Sequence, residues 1–247
     1  MSNDYTPPRD LLKDHRILVT GAGDGLGRAV ARAAAAHGAT VILVGRTPAK
    51  LEQVYDQIEA DGSPQPAILP LNFDGAAEQE YQELAGIIDR EFGSLQGLVH
   101  CAAQLKLLSR IDDYDLETWN KILQVNLTAP FILTQACLPL LRASDQASVI
   151  FTSDALGRIG KAYWGAYAVA KFGIEGLMQV LADELESEGK IRVNAIDPGP
   201  LRTKLRNTAY PGEDPGLLSA PESTAPAYLR LLGGDGKGIH GQSISLR

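Results

Sequence analysis

Short runs rich in Val, Ile and Leu recur along this chain at about 16–20, 40–45, 67–71, 97–101, 147–152, 190–196 and 239–245, with helix-forming stretches between them. Runs this short, with apolar side chains on both parities, suit strands covered on both faces. Alternation of strand and helix leaves few folds open, because a parallel strand reaches its neighbour through a crossover and a helix supplies one. The expectation is an α/β chain, a doubly wound parallel sheet of about seven strands with helices on both faces, forming a single domain over residues 1–247. The longest helical stretches fall near 115–142 and 164–188. Sheets of this kind bind ligands at the carboxyl edge of their strands.

Two regions stand outside the alternation. Residues 1–14 read as a polar tail, extended at Pro7-Pro8. Residues 206–221 carry three prolines and two glycines, so the stretch from about 204 to 221 is expected to be a mobile segment with no regular element. A net charge of −7 and the lack of a dense basic run argue against a nucleic-acid partner. No apolar run is expected to span a bilayer, and Met-Ser-Asn-Asp-Tyr-Thr-Pro-Pro lacks the charged-then-apolar plan of a signal peptide. With Cys101 and Cys137 as the only cysteines, a reducing cytoplasm is expected. The four histidines (15, 37, 100 and 240) are scattered, and no metal site is expected.

Two motifs carry chemistry. The first is Thr20-Gly-Ala-Gly-Asp-Gly-Leu-Gly27, between the strand-like run Ile17-Leu-Val-Thr20 and the helix-like run from Arg28. Glycines there let the backbone turn tightly and approach a phosphate, and a helix N-terminus offers free N–H groups to a pyrophosphate. The second is Tyr167 and Lys171, four apart and therefore on one helix face. An ammonium beside a phenol favours phenolate and lowers the tyrosine pKa toward working pH, which suits proton transfer at a carbonyl or hydroxyl.

In this order and at this separation the motifs resemble the short-chain dehydrogenase/reductase family, single-domain branch, over about residues 17–246. The family's Thr-Gly-x-x-x-Gly-x-Gly is met by Thr20, Gly21, Gly25 and Gly27, and its Tyr-x-x-x-Lys by Tyr167 and Lys171. Its mid-chain asparagine is matched by Asn126, and its Pro-Gly turn by Pro198 and Gly199, followed by Thr203. The resemblance implies a Rossmann-like fold and an NAD(P)-dependent oxidoreductase acting on a small carbonyl or alcohol. It implies cofactor contacts from Thr20, Gly21, Gly23, Asp24, Gly25, Leu26, Gly27, Arg46, Asn72, Phe73, Ala102, Tyr167, Lys171, Pro198, Gly199 and Thr203. It also implies that the loop after the Pro-Gly turn closes over substrate, and that copies pair through the two long helices as a homodimer or homotetramer. Asp10-Leu-Leu-Lys-Asp14, Trp164-Gly-Ala-Tyr167 and the 178–184 stretch resemble a bacterial oxidoreductase subgroup of unassigned substrate.

Cofactor choice turns on the end of the second strand. An acidic residue there would hold the ribose hydroxyls and select NAD. Arg46 stands there instead, and its guanidinium suits a 2′-phosphate. Asp24 argues the other way, because NADP-binding relatives often carry a basic residue near that spot. NADP(H) is favoured and NAD(H) stays open. Asn72 stands where the family usually has an aspartate against the adenine amino group, and its carbonyl can accept the same bond.

The chain departs from the family twice. His100-Cys-Ala-Ala103 replaces the usual Asn-Asn-Ala-Gly or His-Asn-Ala-Gly, so that Cys101 and Ala103 stand for asparagine and glycine. The second departure bears on activity. Counting from both Gly157 and Tyr167, the catalytic serine's position holds Asp154. Serine donates to the substrate oxygen, whereas an ionised aspartate only accepts and raises the Tyr167 pKa. Neighbouring Ser153 can substitute only if the strand end twists or bulges. Three outcomes are open: a protonated Asp154 that donates, an Asp154 that accepts from a hydroxyl-rich or cationic substrate, or a nucleotide-binding sensor that turns over poorly. For an active enzyme, the resemblance gives Tyr167 the proton transfer, Lys171 the nicotinamide ribose, Asn126 a positioned water, and Asp154 an altered form of the serine's role.

Overall fold

The computed structural model describes residues 5–247. Its sheet contains β1 (Arg16–Thr20), β2 (Thr40–Gly45), β3 (Ala67–Pro70), β4 (Gly97–His100), β5 (Ala147–Thr152), β6 (Ile191–Asp197) and β7 (Gln242–Ser245). The spatial order is β3-β2-β1-β4-β5-β6-β7, with parallel pairing throughout. Strand order reverses between β1 and β4, which pair in the register Thr20↔His100. That reversal opens a crevice at the carboxyl ends of the two strands, where ligands of such sheets sit.

The core explains why the strands read as apolar on both parities. In β1, Leu18 faces one layer while Ile17 and Val19 face the other; in β2, Ile42 and Val44 oppose Val41 and Leu43. One layer is closed by α3 (Glu78–Phe92), α5 (Ala129–Arg142) and α6 (Gly165–Glu186), through Tyr81, Leu133, Cys137, Ile174 and Met178. The other is closed by α1 (Gly25–Ala36), α2 (Pro48–Ala60) and α8 (Ala225–Leu232), through Val30, Leu51, Val54, Tyr228 and Leu229. The short helix α7 (Lys204–Ala209) borders the cleft, and α4 (Leu116–Leu123) packs against α6.

Several expectations need correction. Residues 9–14 form turns rather than a loose tail: Leu12 is fully buried, its N–H donates to His37 O at 2.9 Å, and Leu11 covers Gly233. Two adjacent leucines give that segment enough apolar surface to dock. Residues 1–4 of the expected tail lie outside the described residues. The stretch 204–221 is not free of regular structure, since α7 opens it, capped by Thr203 Oγ1 accepting from Arg206 N at 3.2 Å. Leu116–Arg142 is one helical stretch long and apolar enough to cross a membrane by length and composition, contrary to the expectation. Half of its most apolar window is buried within this fold, where it flanks the sheet. The last strand begins at Gln242 rather than 239, since Gly241 (φ +65) turns the chain into it.

Candidate active site

The glycine turn is shaped by close backbone approach. At Gly21 (φ +66) a Cβ would lie 2.9 Å from Ala102 Cα, and at Gly27 it would lie 2.3 Å from Gly21 O. Thr20 Oγ1 ties the turn to the end of β4 by accepting from Cys101 N (3.0 Å) and Ala102 N (3.1 Å). Asp24 caps α1, its Oδ1 accepting from Gly25 N at 2.9 Å. Its Oδ2 is met by Lys50 Nζ at 2.6 Å and Lys204 Nζ at 3.2 Å. Partial burial pushes the Asp24 carboxyl up, but bonds from Lys50, Lys204 and Gly25 outweigh it and hold the group down at about 2. Two lysines against one carboxylate leave a net positive mouth, so Asp24 does not oppose a phosphate there.

A cavity of about 650 Å³ runs from this turn along the carboxyl edge of the sheet. Arg46, Asn72, Phe73 and Ala102 line it. Arg46 is exposed at the end of β2 and forms no ion pair among the described residues. Phe73 is fixed by stacking on Tyr81 at 5.9 Å, whereas Asn72 lies exposed, its Oδ1 accepting from Asp74 N at 3.4 Å. The methyl of Ala103 is also exposed, so it is accommodated without packing strain. A glycine cradle that any side chain would fill, a helix N-terminus and a free guanidinium together fit a phosphorylated dinucleotide. Leu26, Pro198, Gly199 and Thr203 line the same cavity, and a Cβ on Gly25 would meet Thr203 Cγ2 at 3.4 Å.

Tyr167 and Lys171 reach the cavity from α6, both almost wholly buried. Lys171 Nζ donates to Thr152 O at 2.7 Å and lies 5.5 Å from the centre of the Tyr167 ring. The phenol is not lowered toward working pH as expected. Burial pushes it up, and the charges of Asp154 and Asp197 push it further. Burial also lowers Lys171, with Asp154 leading the charges that oppose the change. Tyr167 is therefore held as a neutral phenol, a proton donor.

Asp154 stands extended at the end of β5 and caps the turn Ala155–Gly157, its Oδ1 accepting from Leu156 N at 3.0 Å. Arg247 Nη2 lies 3.7 Å from the same oxygen. Ser153 does not replace it. Its hydroxyl is buried and donates to Glu175 Oε1 on the other side of the strand end. Asn126 sits in a π-helical segment, Gln124–Thr128, that bulges the long helix between α4 and α5. Both ends of its amide are committed to Gln104: Oδ1 accepts from Gln104 N and Nδ2 donates to Gln104 O, each at 2.7 Å. The side chain thus clamps the chain after β4.

Several site residues escaped the sequence reading. Buried Asp197 accepts from Gly199 N (3.0 Å), Arg158 Nη2 (2.7 Å) and Arg247 Nε (3.0 Å). Arg158 also reaches Glu175 at 3.0 Å, so alternating charges run from Glu175 to Asp154 behind the cavity floor. Asp197 directly precedes the Pro-Gly turn, which is a usable signal. Arg247 lies 93 positions beyond Asp154 and gives none. Opposite Asp154 is an aromatic wall: Trp164 packs against Tyr167 (5.5 Å) and Tyr210 (6.0 Å), with Arg206 over the Tyr210 ring at 4.0 Å. Arg206 is held by Glu213 through two 2.6 Å bonds. Among the described residues no group of three or more His, Cys, Asp or Glu side chains is arranged to hold a metal.

Comparison with known proteins agrees with this geometry. The family model for short chain dehydrogenase matches residues 15–214. Uncharacterized oxidoreductase YciK of Escherichia coli (strain K12) is 45% identical over 233 residues, covering 94% of this chain and 92% of that protein. A Pseudomonas syringae structure, described as a short chain dehydrogenase, superposes with a TM-score of 0.97 at 49% identity and covers 99% of both chains. A similarly described structure from Escherichia coli CFT073, complexed with NADPH, gives 0.93 at 45% identity over 97% of this chain and 99% of that one.

Proposed function

The chain belongs to the short chain dehydrogenase family, and from that footing we propose that it is an NADP(H)-dependent oxidoreductase that interconverts a carbonyl compound and its alcohol. One observation carries this reading: the buried Tyr167–Lys171 pair opens into the same cavity as the glycine cradle and the free Arg46. The nicotinamide supplies the hydride. Gly21, Gly25, Gly27 and the start of α1 hold the pyrophosphate, Arg46 holds the 2′-phosphate, and Asn72 and Phe73 flank the adenine. Tyr167 donates its proton to the substrate oxygen, Lys171 holds the nicotinamide ribose, and Asn126 supports the relay through Gln104. The NADPH complex of the Escherichia coli CFT073 relative supports the choice of cofactor. The segment 204–221 closes over a small-molecule substrate, a role supported by the bridge from Lys204 to Asp24.

Copies of the chain associate through their long helices as a homodimer or homotetramer. Exposed Phe131 on α5 and Val169, Phe172 and Val180 on α6 support this, and light scattering reads the mass. The two unpaired cysteines support a cytoplasmic setting.

The test is NADPH oxidation against aldehydes, ketones and quinones. Tyr167→Phe is expected to cost about 10²- to 10⁴-fold in rate. Arg46→Asp should weaken NADPH binding by roughly 10- to 100-fold, with less effect on NADH. One observation favours a second reading, a nucleotide-binding sensor with little turnover: Asp154 occupies the serine position and adds to burial in pushing the Tyr167 phenol up. Tight NADPH binding without turnover in the wild type, with activity appearing in Asp154→Ser, would select it.

A further inference from the structure

Resting on the oxidoreductase reading above, we propose that Asp154 makes this site selective for carbonyl substrates that bear a hydroxyl on the carbon next to the reacting one, and for the corresponding 1,2-diols in the reverse direction.

Asp154 Oδ1 is committed, accepting from Leu156 N at 3.0 Å with Arg247 Nη2 3.7 Å away. Among the described residues its Oδ2 accepts no hydrogen bond, although the side chain lines the cavity and is 30% exposed. An amide donor and a guanidinium thus face one oxygen of the carboxyl, and the cleft faces the other. Ser153 cannot supply the missing donor, because its hydroxyl is buried and engaged with Glu175. The cavity therefore pairs a donor, the Tyr167 phenol, with a free acceptor, Asp154 Oδ2.

A simple ketone uses only the donor. It leaves a carboxylate facing an oxygen that gains negative charge as hydride arrives, and like charges held close together raise the barrier. A ketone with an adjacent hydroxyl uses both groups. Its carbonyl oxygen takes the Tyr167 proton, and its hydroxyl donates to Asp154 and places a hydrogen between the carboxylate and the developing charge. In reduction, hydride from the cofactor would form a C–H bond at the carbonyl carbon, the C=O π pair takes the Tyr167 proton, solvent returns a proton to the Tyr167 phenolate, and the products are a 1,2-diol and oxidised cofactor. The hydroxyl bound by Asp154 is chemically unchanged. An ammonium in its place fits less well, since Arg247 and Lys171 already supply cations around this carboxylate.

The experiment measures kcat/KM for matched pairs with NADPH, 3-hydroxy-2-butanone against 2-butanone and hydroxyacetone against acetone, in wild type, Asp154→Asn and Asp154→Ser. Calorimetry on the NADP⁺-saturated protein compares binding of 2,3-butanediol with 2-butanol. NADPH affinity and melting temperature establish that each variant is folded. The wild type is expected to favour the hydroxyketone by roughly 10- to 100-fold, the worth of one hydrogen bond to a charged acceptor, and to bind the diol more tightly. Asp154→Ser should bring the rate ratio close to one, mainly by gaining on the simple ketones. Asp154→Asn, which keeps an acceptor without the charge, should fall between. A wild-type ratio near one, or a ratio that survives in Asp154→Ser, overturns the proposal and leaves the oxidoreductase reading intact. Equal binding of diol and monoalcohol overturns it without reference to any variant. No turnover of any ketone in wild type or variants, with NADPH still bound, overturns the proposal and the reading beneath it.

Discussion

Asp154 is the residue at which sequence and structure meet most closely. Counting along the chain located it, and electrostatics foresaw that it would raise Tyr167, but only the coordinates show how it is tolerated. Its counter-charge, Arg247, comes from the other side of β7, and no local pattern links the two. Burial was equally illegible: four-residue spacing says that Tyr167 and Lys171 share a face, not that the face is dry. Burial of Tyr167 has a consequence for stability. The folded chain holds the Tyr167 proton more tightly than the unfolded chain does, and burial does the same for Tyr228. Above about pH 10 the unfolded chain sheds these protons and the folded chain keeps them, so stability present below that pH is lost as pH rises. Thermal melts should decline above about pH 10, and Tyr167→Phe should flatten the decline. Tyr163 offers an independent test. It holds φ +75 just before α6 and is mostly exposed, so its side chain is poorly suited to its backbone and contributes little packing. Tyr163→Asn should stabilise by about 1 kcal/mol and raise Tm by about 2–4 °C.

At the scale of elements, the glycine turn was readable because its constraint is local: strand, tight turn, helix. The structure adds which glycine matters most. A methyl at Gly27 would press on the main chain at Gly21 O, which cannot move without breaking the turn. Gly86, inside α3, would meet only the tip of Arg90 at 3.5 Å. Gly27→Ala should abolish NADPH binding and lower Tm, whereas Gly86→Ala should stabilise by about 0.5–1 kcal/mol, checked by melting and by nucleotide fluorescence. The π-helical bulge at Gln124–Thr128 was not readable. A π-helical segment of five residues within a long helical stretch is marked by its hydrogen bonding and carries no residue signature of its own. That bulge turns Asn126 onto Gln104. Helix α7 was missed for a related reason: prolines and glycines downstream dominated the reading, while the capping signal at Thr203 is one residue long.

At the scale of the whole molecule, the fold was legible in outline because seven apolar runs with crossovers admit little else. Apolar side chains on both parities implied two covered faces, and the structure divides each of β1 and β2 between two core layers. The cavity itself could not be read from spacing, because it draws on residues from Gly21 to Arg247. That breadth means a nucleotide has affinity for the complete fold and none for its parts. Cofactor at one hundred times its Kd should stabilise the chain by about 2.7 kcal/mol, which scanning calorimetry would read as a Tm rise of roughly 5–10 °C. The order in which the site becomes available during synthesis follows from the same layout. The turn at Gly21 leaves the ribosome early, but Asp154, Tyr167 and Lys171 emerge well after it, and Arg247 later still. A proteolytically clipped chain can present a finished glycine loop and yet have no working floor beneath it, so nucleotide capture doubles as a certificate that both halves of the sheet stand together.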